Sequence, residues 1–324
     1  MRWITEERYA EQMREEVEPW LEARMEAGFD ERVKGQPIYF EHYRADGAKA
    51  VIVISHGFTE SIQKFKESVY YMLQAGYEVW GLDHRGHGRS FRLGDNPYVV
   101  HAERFDDYAL DLIHLTETRV KPAAGERPIC LFCHSMGGCV GVRAVELRPE
   151  LFAKAVLSSP MLGVVMGKVP TPLACALLRV KGAGARGREP MMPVTGFTET
   201  EEDGAASAAN SDCRFRYYIR KKLADPRLQT CAPSMNWILE AVRACRLACS
   251  KKETAKIRIP VLLFQAGRDS YVRADAQERF AARVPGCELQ RFPALKHELY
   301  MSDSPDLIPY WEKVFAFLGQ PRTA

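Results

Sequence analysis

The chain has 324 residues, 46% of them apolar and 27% charged, proportions of a soluble globular protein that exclude a fibrous, collagen-like or wholly disordered chain. At about 150 residues per domain the length fits two domains, or one large α/β domain carrying an insertion. Lys and Arg number 45 against 42 Asp and Glu, a net charge of +3, so no general basic field exists for nucleic acid and an anionic partner must be met locally.

Residues 1–34 are dense in charge, with Glu15, Glu16 and Glu18 close together, and have no apolar core of the kind a signal peptide needs. They read as an N-terminal helical extension lying on the outside of a cytoplasmic protein. Short apolar runs follow at 51–54, 77–82, 129–133, 154–157 and 261–264, the pattern of parallel strands buried on both faces. Between them, 62–75, 105–120 and 140–147 are periodic enough for crossover helices. Strand alternating with helix predicts a doubly wound α/β core over 35–160 and 259–324.

That rhythm breaks after Ser158-Ser159-Pro160 and resumes near Ile259-Pro260. Residues 161–258, with several helical stretches and no clear buried strand, read as an inserted helical cap. Between 161 and 235 eleven Lys and Arg stand against seven Asp and Glu, so the slight basicity of the chain sits in this insertion. Its most apolar window, 161–180, is interrupted by Lys168, Pro170, Pro172 and Arg179, too often for a membrane span of about 20 residues.

Nine cysteines, an odd number in a chain expected to stay inside the cell, favour reduced thiols. Cys130 and Cys133 form a C-x-x-C within a strand, where positions three apart face opposite sides of the sheet. Cys245 and Cys249 have helical spacing but no second ligand pair follows them. Both pairs read as core packing, and neither a metal nor an organic cofactor is expected.

Ser135 lies in Cys133-His134-Ser135-Met136-Gly137-Gly138, after a buried strand and before a helix. That is the setting of a nucleophile elbow, which lifts a serine hydroxyl above the carboxyl end of the sheet and needs small neighbours. Serine needs an adjacent base, and His297 is the only histidine after Ser135; it follows a last strand at 287–293. Asp269, just past the 261–264 strand, is placed to hold the imidazole tautomer. Its rivals Asp275 and Glu240 fall within expected helices. Two backbone donors would receive the developing charge: the Met136 N–H at the elbow, and the Phe58 N–H in the loop after the 51–54 strand. His56 reads as a structural hydrogen bonder. The stretch 83–90 lacks a phosphate-loop pattern and reads as a tight turn.

The segments HGFTES, GLDHRGHGRS, CHSMGG, QAGRDSYV and KHELY, in this order, resemble the α/β-hydrolase group of monoacylglycerol lipases and bacterial lysophospholipases, over most of the chain from about Tyr39. The stretches 100–108 and 159–163 are especially similar to the bacterial lysophospholipases. The resemblance implies Ser135, Asp269 and His297 as catalytic residues, Phe58 and Met136 as oxyanion donors, and ester hydrolysis through an acyl-enzyme without a cofactor. Cys133, where Gly or Ala is usual, and the N-terminal extension depart from the pattern. Met161, Leu162, Val164, Val165, Met166 and the 173–178 run either line an acyl pocket or fill the cap core. The basic stretch 214–222 either attracts a phosphate headgroup or an anionic membrane surface, or is a solvated helix face; the cap is thus the place for peripheral membrane contact. A small lipid ester is the expected substrate. Two alternatives compete: an aminopeptidase of the same fold, disfavoured by the net basic cap because a substrate amine needs acidic groups, and a weakly catalytic ligand-binding receptor.

Overall fold

The computed structural model describes residues 1–167 and 169–321; Lys168, within the expected cap, and 322–324, at the end of the expected core, lie outside the described residues. Eight strands form one sheet: β1 (Met25–Asp30), β2 (Ile38–Tyr43), β3 (Ala50–Ser55), β4 (Tyr77–Leu82), β5 (Ile129–His134), β6 (Lys154–Ser158), β7 (Val261–Ala266) and β8 (Cys287–Phe292). Their spatial order is β1-β2-β4-β3-β5-β6-β7-β8. From β4 through β8 every pairing is parallel, whereas β1–β2 and β2–β4 are antiparallel. The five expected parallel strands and the last strand are all present, and helices cover both faces.

Alternating side chains divide the interior into two cores. Val51, Val53, Leu131, Cys133, Leu157 and Leu263 face one; Ile52, Ile54, Cys130, Phe132, Val156 and Leu262 face the other. Cys130 and Cys133 therefore lie on opposite sides of the sheet, as the period of two requires.

The helices are α1 (Tyr9–Gln12, a π-helical turn Met13–Val17 and Glu18–Glu22), α2 (Lys66–Gln74), α3 (Asp106–Leu115), α4 (Met136–Leu147), α5 (Thr171–Lys181), α6 (Asp212–Ala224), α7 (Met235–Ala248), α8 (Ala274–Ala281) and α9 (Ser304–Gly319). Residues 161–258 pack in part on the two cores, while Cys175 and Leu178 of α5 and Met235 and Val242 of α7 are buried outside both. Trp237, Ala241 and Cys245 of α7 join the first core, and Phe215, Tyr218 and Ile219 of α6 join the second. Cys245 and Cys249 donate to the carbonyls of Met161 and Leu162 at 3.2 and 3.5 Å, so both thiols are packed as expected. Among the described residues no helix is long and apolar enough to cross a membrane.

The expected 1–34 helical extension needs correction. Only Tyr9–Glu22 is helical, and Tyr9, Met13, Val17 and Leu21, four apart, bury one stripe in the second core. Met25–Asp30 is instead the edge strand of the sheet, with only Asp30 buried; an edge strand with little apolar content carries no alternation to read. β2 was equally illegible although all six of its residues are buried. Its interior holds Glu41 and His42, whose burial depends on partners elsewhere: Lys66 Nζ donates to Glu41 at 2.8 Å, and His42 Nε2 lies 2.8 Å from Glu78.

Candidate active site

The chain leaves β3 towards β4 on one side, while β5 adds on the other. Such a reversal opens a crevice beyond the carboxyl ends of the strands, and the turns after β3 and β5 meet there. Three non-glycine residues with positive φ cluster in these turns and the next: Thr59 (61°), Ser135 (51°) and Ser159 (44°). Backbone in this region is held only where surroundings over-determine it. Ser135 N donates to Ser158 O at 3.1 Å, and Ser135 O accepts from Gly138 N and Met161 N, each at 2.8 Å.

Small residues are required on the helix side of the turn. A Cβ on Gly137 would come 2.1 Å from Ser55 O, and one on Gly138 2.5 Å from Pro160 Cβ. Cys133 fits in place of the usual Gly or Ala because a glycine faces it: a Cβ on Gly141 would lie 2.4 Å from the Cys133 sulfur.

His297, 5% exposed, sits in the loop after β8, with Nδ1 2.6 Å from Asp269 Oδ2. The other Asp269 oxygen accepts the amides of Tyr271 (2.8 Å) and Val272 (3.1 Å). Burial pushes Asp269 up, but the His297 contact and these two amides outweigh it and hold the carboxyl below its ordinary value. The imidazole thus has Nδ1 turned to a carboxylate, the arrangement that fixes its tautomer. Ser135, His297 and Phe58 line one cavity, and Met136 opens α4 directly behind the elbow with an N–H in the first helical turn, where no intrahelical acceptor exists. Asp275, half-buried in α8 between Arg273 and Arg279, and Glu240, on α7 accepting from Phe105 N, stand apart from this cluster.

The neighbouring histidines are structural. The His84 amide donates to His56 Nε2 at 2.9 Å, so His56 Nδ1 bears the proton and donates to Gly57 O at 2.7 Å. Burial lowers the pKa of His56 to about 4 and that of His134 to about 3, against the pull of Gly57 O and Glu60 respectively. In the 83–90 turn the Asp83 carboxylate accepts from Ile62 N and Arg89 N, and burial pushes it up to about 6.

The cavity is about 760 Å³. One part of its wall is apolar: Met161, Val164, Val165, Met166, Trp237 and Ile238. Of the expected pocket residues, Leu162 is instead buried in the first core, and Leu173 and Leu177 point outward, 54% and 56% exposed. The other part carries charge that sequence reasoning missed. Lys64 Nζ lies 2.9 Å from Glu60 and 2.5 Å from Glu298, and Tyr300 Oη donates to Glu60 at 2.8 Å. Glu60, His134 and Glu298 have metal-ligating atoms within 4.8 Å of one another. The Lys64 ammonium already neutralises these carboxylates, so the set does not fit a divalent cation. Two signals for this cluster were legible: the i, i+4 spacing of Glu60 and Lys64, and Glu298 beside His297.

Of the basic stretch 214–222, Arg216 and Arg220 are exposed in surface ion pairs, as a solvated helix face would have them, and the other basic residues are wholly or partly buried. Arg214 is buried between Glu6 (2.7 Å) and Glu67 (2.9 Å); Arg216 pairs with Asp212, Arg220 with Glu201 and Lys221 with Glu18. Lys222 turns inward and lines the cavity, as do Glu199 and Asp203. The net basicity of the insertion therefore does not extend to the cavity wall, where carboxylates outnumber ammonium groups.

A family model described as serine aminopeptidase, S33, matches residues 46–304. Lysophospholipase L2 of Escherichia coli strain K12 is 30% identical over 256 residues, 78% of this chain and 72% of that one. Monoglyceride lipase of Rattus norvegicus is 31% identical over 129 residues, 40% of this chain and 41% of the relative. Among solved structures, a soluble variant of monoglyceride lipase from Saccharomyces cerevisiae in complex with a substrate analog superposes with a TM-score of 0.72 at 16% identity, covering 92% of this chain and 96% of that one. A thermostable carboxyl esterase from Bacillus coagulans in complex with glycerol gives 0.70 at 14%, covering 91% and 97%.

Proposed function

The chain belongs to the serine aminopeptidase S33 family, with the α/β-hydrolase fold, and from that premise we propose that it cleaves the carboxylic ester of a single-chain lipid, a lysophospholipid or monoacylglycerol, through an acyl-enzyme on Ser135. One observation carries this reading. A serine on a strained strand-to-helix turn and a histidine backed by a buried carboxylate face one large, partly apolar cavity.

His297 Nε2 takes the Ser135 proton as Oγ bonds to the ester carbonyl carbon. Asp269 stabilises the imidazolium, and the Phe58 and Met136 amides hold the oxyanion. Collapse expels the glycerol-side alcohol, protonated by His297. Water then attacks the acyl-enzyme with His297 as base, releasing the fatty acid and restoring Ser135. The apolar wall around Met161, Val164 and Ile238 suits an acyl chain. Residues 161–258 act as the cap over this site, and their outward apolar side chains on α5 make peripheral contact with a membrane surface.

Labelling by a fluorophosphonate, with Ser135→Ala alongside, tests the nucleophile, followed by parallel assays of lysophosphatidyl lipids, monoacylglycerols and short acyl esters. Ser135→Ala is expected to lose labelling and to cut turnover by about 10⁴-fold or more; equal labelling of both proteins would overturn the assignment. The acidic cavity wall favours a second reading, amide cleavage with an amine held by Glu199. Turnover of aminoacyl arylamides with none of lysolipids would select it.

A further inference from the structure

We propose that Lys222 and Glu199 form a headgroup subsite in the cap for a zwitterionic lysophospholipid, Lys222 receiving the phosphodiester and Glu199 the ammonium. The inference rests on the lipid-ester reading of Ser135 and adds to it which headgroup the cavity selects.

Lys222 is 2% exposed and shares the cavity with Ser135 and His297. Its ammonium has three N–H donors but, among the described residues, one acidic partner, Glu199 Oε2, at 3.5 Å, the outer limit of a hydrogen bond. Lys64, in the same cavity, is held between two carboxylates. The other contacts of the Lys222 ammonium among the described residues are the faces of Phe197 (4.4 Å) and Tyr218 (6.0 Å), so this buried ammonium has no close oxygen acceptor there, which is costly, and an incoming anion relieves that cost. Burial lowers the pKa of this ammonium, Glu199 raises it less, and the Lys64 charge lowers it further; a bound phosphate would pull it back up.

The neighbours decide which anion. Asp203 is engaged by the Thr200 amide and hydroxyl, whereas Glu199, with a 44% exposed side chain, has among the described residues only Lys222 as ion partner. Excess carboxylate in the wall repels a multiply anionic headgroup. The Lys222–Glu199 pair is itself a dipole, and a phosphodiester carrying an ammonium is the dipole of opposite sense.

The test separates binding from turnover. In the Ser135→Ala protein, a short-chain lysophosphatidylcholine and the monoacylglycerol of equal chain length are titrated below their micelle concentrations, with lysophosphatidylglycerol as the anionic comparison. Lys222→Gln is expected to weaken both phospholipids relative to the monoacylglycerol by about tenfold or more, the loss of one charge-assisted hydrogen bond. Glu199→Gln, at a half-exposed position that folding tolerates, is expected to weaken the choline lipid relative to the glycerol one. Equal effects on all three lipids, no effect, or no lipid binding before substitution would overturn the subsite. Selective binding without ester turnover by the Ser135-bearing protein would instead overturn the hydrolase reading and leave the subsite standing.

Discussion

At Ser135 the φ of 51° imposes a conformational cost of about 1–3 kcal/mol on any residue with a Cβ, and the contacts of Gly137 and Gly138 leave the turn no way to relax. Glycine escapes that cost. Ser135→Gly and Ser135→Ala are both expected to be inactive, yet the glycine variant should be the more stable by about 1 kcal/mol; urea unfolding of the pair, with the alanine variant equal or ahead, would contradict stored strain. The elbow was legible because its chemistry is local: a strand, a serine and small residues in succession. Asp269 and His297 were legible for a different reason, since chain order left one histidine and placed an acid at a strand end. Lys222 was not, because whether a lysine points into a cavity or into solvent depends on elements distant in the chain.

At the scale of elements, partners across the sheet and across the insertion explain what the patterns concealed. On β4, burial pushes Glu78 up, but His42 of β2 and Arg127 outweigh it and hold it down at about 2, from an ordinary 4.5. A depressed carboxylate contributes stability that is complete above the unfolded value and is lost as pH falls towards the folded one. The melting temperature should therefore fall between about pH 4.5 and 2, and Glu78→Gln should flatten the curve in that window. A stronger coupling joins α1, α2 and α6: Arg214 meets Glu67 of α2, Glu6 and the Ile4 carbonyl, with Tyr9 stacked beneath it. The N-terminal segment thus fastens α6 to α2. Arg214→Met, which strands the Glu67 charge, is expected to cost about 3–5 kcal/mol, and adding Glu67→Leu should recover part of it; no recovery in denaturant melts would place the loss elsewhere.

For the whole molecule, the +3 charge proves less informative than its distribution. The insertion is basic in sum, yet the cations of α6 are paired and the cavity is rimmed by carboxylates. Its outer side carries Leu173, Leu177, Val180, Met191 and Met192, all more than half exposed, beside Arg179, Lys181 and Arg186. An apolar helix face flanked by cations suits an anionic bilayer surface. Leu177→Asp is expected to reduce binding to anionic vesicles and turnover of vesicle-borne lipid several-fold, while hydrolysis of a monomeric short-chain ester stays near its starting value; equal losses on both substrates would remove the membrane role. Fold class, and the placing of the candidate residues Ser135, Asp269 and His297 at the carboxyl ends of strands, followed from the sequence by itself, because buried parallel strands need continuous apolar runs and a tight strand-to-helix turn needs specific neighbours within a few residues. The edge strand β1, the polar strand β2, the docking of α1 and the charge of the cavity were decided by tertiary structure alone. In each of them a polar or weakly patterned segment is stabilised by partners that only the folded chain brings within hydrogen-bonding reach.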